Sequence, residues 1–211
     1  MKHRYDFCRL AVCLLWASVG CTGAPSESPA PTPALSPVAL APAGIRRLTG
    51  AEYDRAASAL LGQTVTPSRA WPAETPQNGF TRQRGQVVEA LLASALDDGA
   101  QALAAQALAA GFADEWTCTA TEDACATRMV RELGSRAFRR APTEAETQRY
   151  LAVLRAGQSE AEPGQELALL LRALLQSPGM LYVTELGGAS EGGAVLLDDD
   201  ELASALSFGV A

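Results

Sequence analysis

Two residue types that carry much of enzyme chemistry occur once each in this chain of 211 residues: His3 is its one histidine and Lys2 its one lysine. Both precede Leu10 to Gly20, a run of eleven uncharged residues. With Lys2, Arg4 and Arg9 ahead of it, that run has the layout of a secretory signal peptide. It is too short for a membrane span, which needs roughly 20 apolar residues. Removal of residues 1–20 leaves a chain with no imidazole and no primary side-chain amine. Such a chain cannot assemble a Ser-His-Asp or Cys-His site, a lysine Schiff base or a phosphate-loop lysine. It offers no histidine to zinc or haem and contains no c-type haem attachment motif, so no cofactor is expected. These absences point away from an enzyme in this chain alone, without deciding it.

The reactive residues left are few. Cys118 and Cys125 stand in an acidic, threonine-rich stretch, WTCTATEDAC. In an oxidising compartment they are expected to form a structural disulfide, worth about 2 kcal/mol for so short a loop. A redox-active pair is the alternative, and a metal site would need further soft ligands, so none is expected. Arg128, Arg131, Arg136, Arg139 and Arg140 fall within one predicted helix. Steps of 100° place Arg128, Arg131, Arg136 and Arg139 on one broad face, which would suit an anion such as phosphate or an acidic glycan. The favoured alternative is a solvated face, because Glu132 lies four residues from both Arg128 and Arg136. Arg172, alone among leucines, is expected to snorkel or pair with a carboxylate. Asp198, Asp199 and Asp200 lack the spacing of a calcium loop and read as a helix start. Nothing in the sequence singles out a carboxylate pair for glycoside hydrolysis. Trp71, Phe80 and Trp116 are expected to serve the core before any groove.

Composition sets the frame for these residues. The chain is 48% hydrophobic, 19% charged and 6% aromatic, rich in alanine and poor in the residues that favour strands. Its formal charge of -7 argues against a nucleic-acid partner, since phosphate neutralisation needs a basic face. Loss of the signal makes it more acidic, with fourteen arginines against twenty-three carboxylates. Thr49-Gly50-Ala51-Glu52 is a capping box that opens a helix over about residues 50 to 61, closed by Gly62. Residues 71–80, with prolines at 67, 72 and 76, read as a loop. Val87 to Leu96 and Ala102 to Ala110 form helical stripes divided by Asp97-Asp98-Gly99, either two helices or one interrupted helix. A second capping box, Thr143-Glu144-Ala145-Glu146, starts a helix that reaches Gly157. Gly164 to Gln176 is apolar nearly all round and belongs at the centre of a bundle. Leu181-Tyr182-Val183 could form a strand, but no partner for it is evident. The last helix begins at the Asp198–Asp200 run and shows Leu202, Ala205, Leu206 and Val210 as its apolar face, which needs a neighbour. The fold expected is mainly α, a helical bundle with one buried leucine-rich helix.

Ser18-Val19-Gly20-Cys21 resembles a bacterial lipobox, in which small residues precede a cysteine that receives a diacylglycerol thioether. The alternative is ordinary cleavage nearby, leaving Cys21 a free thiol. Several acyl chains would anchor durably where one would not. Thr22 follows the cysteine, so no aspartate marks inner-membrane retention and outer-membrane anchoring is expected. Residues Thr22 to Gly44 hold six of the twelve prolines and read as an extended tether reaching roughly 70 Å.

The set IRRLTGAEYD (45–54), ALLG (59–62), SRAFRRAPTEAE (135–146), LLQSPGMLYVTELG (174–187) and DELASALSF (200–208) resembles the exported multidomain proteins of planctomycetes and myxobacteria known by domain of unknown function 1592 and its companions. That resemblance implies an exported protein or lipoprotein, sometimes joined to cytochrome c modules, and supplies no mechanism. This chain would correspond to an N-terminal portion of such a protein. The organisation expected is a lipoprotein signal peptide at 1–20, a lipidated cysteine and disordered tether at 21–44, and a helical domain at 45–117. A second helical segment with the cysteine pair follows at 118–187, and 188–211 begins a further, incomplete domain. The reading that results is an envelope lipoprotein acting as a binding or scaffolding module, with the membrane and an envelope protein or cytochrome as partners. Its alternative is the N-terminal part of a larger envelope enzyme or redox assembly, with the chemistry downstream or in a partner.

Overall fold

The computed structural model describes residues 43–158, 164–188, 190–191 and 194–209. The signal peptide, Cys21, the tether up to residue 42 and Val210 lie outside the described residues. Among the described residues seven α-helices carry the fold: α1 (Gly50–Leu61), α2 (Ala90–Ala109), α3 (Asp123–Phe138), α4 (Glu144–Gly157), α5 (Gln165–Leu175), the single turn α6 (Pro178–Leu181) and α7 (Asp199–Gly209). Four short strands accompany them: β1 (Gly44–Arg47), β2 (Tyr182–Glu185), β3 (Ser190–Glu191) and β4 (Ala194–Val195). The protein is mainly α, as its composition requires.

The helix starts follow from local chemistry. At α1 the Thr49 hydroxyl accepts from the Glu52 N–H and the Glu52 carboxylate accepts from the Thr49 N–H, while Gly62 closes the helix at φ 66°. Thr143 and Glu146 repeat the reciprocal arrangement at α4. α5 packs against α2, α3 and α4 and buries Leu167, Leu170, Leu171, Leu174 and Leu175. Gly157, at the end of α4, meets the backbone of Glu166 so closely that a Cβ there would collide with it, which lets the two helices turn back on one another. The Tyr53 hydroxyl donates to the Leu175 carbonyl at 3.0 Å, satisfying one of the acceptors that α5 leaves open at its end.

Two readings of the sequence are corrected here. Asp97-Asp98-Gly99 does not break α2, which runs unbroken through it and begins only at Ala90, after Val87 and Val88. Arg172 of α5 grips the Asp97 carboxylate through Nε at 3.0 Å and Nη2 at 2.6 Å, so the charge sits in a fixed place on a packed helix. The segment at 181–183 does have a partner. Gly44 to Arg47 pairs antiparallel with Tyr182 to Glu185, in the register Ile45 to Thr184 and Arg46 to Val183. That partner is hidden in sequence because β1 inverts the usual pattern, with Ile45 exposed while Arg46 and Arg47 are buried.

Burial of those arginines depends on one carboxylate. Glu52, 1% exposed, accepts from Arg46 Nη1 at 2.8 Å and Nη2 at 3.1 Å, from the Thr49 N–H at 2.9 Å, and from the Thr49 hydroxyl at 3.1 Å. Arg82, from the long loop between α1 and α2, adds its Nε at 2.8 Å and donates its Nη2 to the Phe208 carbonyl in α7. Burial pushes the Glu52 carboxyl upward, but bonds from Arg46 and Thr49 and the charges of Arg46 and Arg82 outweigh it and hold it below the usual range. Glu52→Gln should therefore cost about 3–5 kcal/mol, the penalty for leaving buried guanidinium uncompensated. Urea unfolding of the two proteins measures it, and a loss under about 1 kcal/mol, as for an exposed ion pair, would show that Glu52 does not hold the arginines in place.

Candidate functional site

A cleft of about 530 Å³ opens between the α3–α4 turn, the α6–β2 junction and α7. Arg139, Arg140, Glu146, Tyr182, Asp200 and Ser204 are among the residues that line it. Arg139 caps α3 in the left-handed region at φ 58°, a conformation that costs a non-glycine residue roughly 1–2 kcal/mol. The turn sends its side chain inward. Nε donates to the Ser204 hydroxyl at 3.2 Å, Nη1 to the Ala137 carbonyl at 3.2 Å and the Met180 carbonyl at 3.4 Å, and Nη2 to the Gly179 carbonyl at 2.9 Å and the Tyr182 carbonyl at 2.8 Å. A guanidinium has five N–H donors, and all of them are engaged. Burial, with the Arg46 charge in support, pulls this group down to about 10, so it stays protonated at neutral pH.

Arg140 turns the other way and forms a two-pronged pair with Glu146, at 2.8 Å and 2.7 Å. The Arg140 bonds hold the Glu146 carboxyl at about 2 against the opposing effect of burial, with the Thr143 N–H and hydroxyl adding to them. The bond to Glu146 raises Arg140, and Asp200 and Asp198 contribute to that rise through their charge. Asp198 caps α7 by accepting the Glu201 N–H at 2.8 Å, the helix-start role the sequence assigns it. Glu201 takes the N–H groups of Leu186 and Gly187 at 3.0 Å and 2.7 Å, which fastens α7 to the end of β2. At the far end of α7, Phe208 is 4% exposed, with the guanidinium groups of Arg46 and Arg139 at 6.0 Å and 5.4 Å from its ring centre.

The face of four arginines does not form as the sequence suggests. Arg128, Arg131 and Arg136 lie exposed on α3, but Arg139 falls beyond the last helical turn and has no donor left for an anion. Of the remaining three, Arg131 pairs with Glu144 at 3.1 Å and Arg128 lies 3.9 Å from Glu132. Cys118 and Cys125 are joined in a disulfide. Trp71 packs on Tyr53 with ring centres 4.7 Å apart, whereas Phe80 is exposed. Among the described residues no group of three or more His, Cys, Asp or Glu could hold a metal ion, and no helix is long and apolar enough to cross a membrane.

The cleft and the Glu52 cluster share a device that stands twice in the sequence and shows its purpose only in the fold. Arg46 and Thr49 precede Glu52 at the same offsets as Arg140 and Thr143 precede Glu146. In both, an arginine three residues before the cap chelates the capping-box glutamate.

Two family models match the chain: PSD3, a protein of unknown function (DUF1587), over residues 46–109, and PSD5, a protein of unknown function (DUF1595), over residues 125–185. These are companion domains of the planctomycete-type multidomain family. Pairing of β1 with β2 joins the start of the first matched segment to the end of the second. No curated protein and no solved structure matches.

Two outcomes follow from the cleft. Arg139→Lys, with three donors for five acceptors, should cost about 2–3 kcal/mol by thermal or urea unfolding despite keeping the charge. Glu146 has its folded carboxyl at about 2 against an ordinary 4.5. Its contribution is fully present above pH 4.5 and fades as pH falls through that window, so Glu146→Gln should flatten the acid limb of a stability–pH curve there.

Proposed function

We propose that this chain is a binding or scaffolding module of the cell envelope, held to the outer membrane by a lipid on Cys21, with the cleft beside α7 as its docking site. The observation that carries the reading is the state of the side chains around that cleft. Arg139 is spent on carbonyls, Arg140 on Glu146, and Glu201 on two backbone N–H groups. What they build is a fixed concave surface with Thr184 and Asp200 exposed at it, suited to recognition more than to bond-breaking. The run from Lys2 to Cys21 and the proline-rich stretch after it support the envelope address, and the charge balance argues against nucleic acid as the partner.

A second reading is favoured by a specific feature of α7. The helix docks through Glu201, Ser204, Ala205 and Phe208, so Leu202 and Leu206 point outward at 49% and 56% exposure. The apolar face expected from the sequence thus divides between core and solvent. Two leucines one helical turn apart on the outside suit a further protein layer, as in a larger envelope enzyme or redox assembly with a cytochrome or other partner supplying the chemistry.

A photo-crosslinking side chain at Thr184, in the protein expressed with its own leader, tests the main reading. We expect adducts to an envelope component that vanish with Asp200→Arg, and loss of membrane retention in Cys21→Ser. Crosslinking indifferent to Asp200→Arg would remove the cleft from consideration, and retention of Cys21→Ser in the membrane would remove the lipid anchor.

A further inference from the structure

The two ends of the Cys118–Cys125 bond sit in different surroundings. Cys125 is 4% exposed at the third position of α3, whereas Cys118 lies half-buried in the loop before that helix. Arg128, exposed on the first turns of α3, donates its Nη2 to the Cys118 sulfur at 3.1 Å, and its guanidinium stands 5.7 Å from the centre of the Trp116 ring. A bonded sulfur is a weak acceptor, so a cation placed there gains far more from a thiolate than from a disulfide. Cys125 sits in the first turn of α3, where Glu122 makes no side-chain cap, although the carboxylates of Glu122 and Asp123 offset the positive end of the helix.

The loop is held by contacts besides the bond. Ala120 is buried, its carbonyl accepts from Gln158 Nε2 at 2.7 Å, and Thr119 bonds to both Thr121 and Glu122. So short a loop loses only about 2 kcal/mol when its bridge opens. Of the acidic groups nearby, Asp123 is paired with Arg155 at 2.8 Å, Glu122 with Thr119, and Glu132 stands 3.9 Å from Arg128. Arg128 is thus the charge in direct contact with the sulfur.

We propose that Cys118–Cys125 is a thiol–disulfide exchange site whose co-reactant is a dithiol. A thiolate of the dithiol attacks the sulfur of Cys118, the less buried of the two cysteines, the S–S bond breaks, and Cys125 leaves as a thiolate beside the first turn of α3 and takes up a proton. The second thiol of the dithiol, on losing its proton, attacks the mixed disulfide. Cys118 departs as a thiolate stabilised by Arg128, and the dithiol becomes a disulfide. Two electrons pass to the cysteine pair, and two protons are released by the dithiol for the two the cysteines can accept.

The test uses the full chain and dithiothreitol as the dithiol. Arg128→Gln should slow reduction about tenfold and raise the pH at which reduced Cys118 is alkylated by iodoacetamide by about one unit, with Arg128→Lys recovering part of both. Circular dichroism of reduced wild-type protein should keep its helical signal, and brief exposure of the oxidised protein to glutathione should leave the adduct on Cys118. Equal reduction rates in wild type and Arg128→Gln, an adduct on Cys125, or helix lost on reduction would each overturn the proposal.

Discussion

The Glu52 carboxylate ties three separate parts of the chain to one buried point. It starts α1 as the second half of a capping box, and the same two oxygens take Arg46 from β1 and Arg82 from the long loop. Arg82 in turn reaches the Phe208 carbonyl at the end of α7. A buried carboxylate is tolerated only when its charge and lone pairs are all answered, and a buried arginine makes the same demand in reverse. Each group therefore fixes the other, and the strand, the helix start, the loop and the last helix converge on one place.

Arg139 meets the same constraint by another route. Its partners include four carbonyl oxygens, three of them at α6 and its cap, where a helix end leaves acceptors open. The left-handed turn that brings it there costs little beside five bonds. Arg139 also stands beside Phe208, so the cleft wall and the Glu52 cluster are neighbours across one aromatic ring. The position of α7 is set by that ring at one end and by the grip of Glu201 on the end of β2 at the other. With α7 placed, the cleft acquires its third wall.

From residue 43 onward every side-chain cation of this chain is an arginine. Arginine stays charged when buried and offers a planar set of donors, whereas a lysine loses its charge more readily and a histidine titrates near neutrality. A framework built on such groups is insensitive to pH in the physiological range. Arg46, Arg82, Arg139, Arg140 and Arg172 are spent in this way on architecture. Arg128 is the exception in kind, since its contact is with a sulfur rather than with a carbonyl or carboxylate alone.

Much of this protein was legible in its sequence because the signals were local. Both capping boxes, the boundaries of α1 and α4, the buried leucines of α5, the Asp198 cap and the pairing of Cys118 with Cys125 each rest on residues a few positions apart. What the tertiary structure decided lay between distant residues. The continuity of α2 accompanies Arg172 on Asp97, β1 exists because Tyr182 to Glu185 lies beside it, and Arg139 leaves its predicted face because carbonyls some forty positions away need donors. Period and propensity describe a segment alone with solvent. A buried charge answers to whichever partner the fold brings within 3 Å, and no spacing along the chain records that distance.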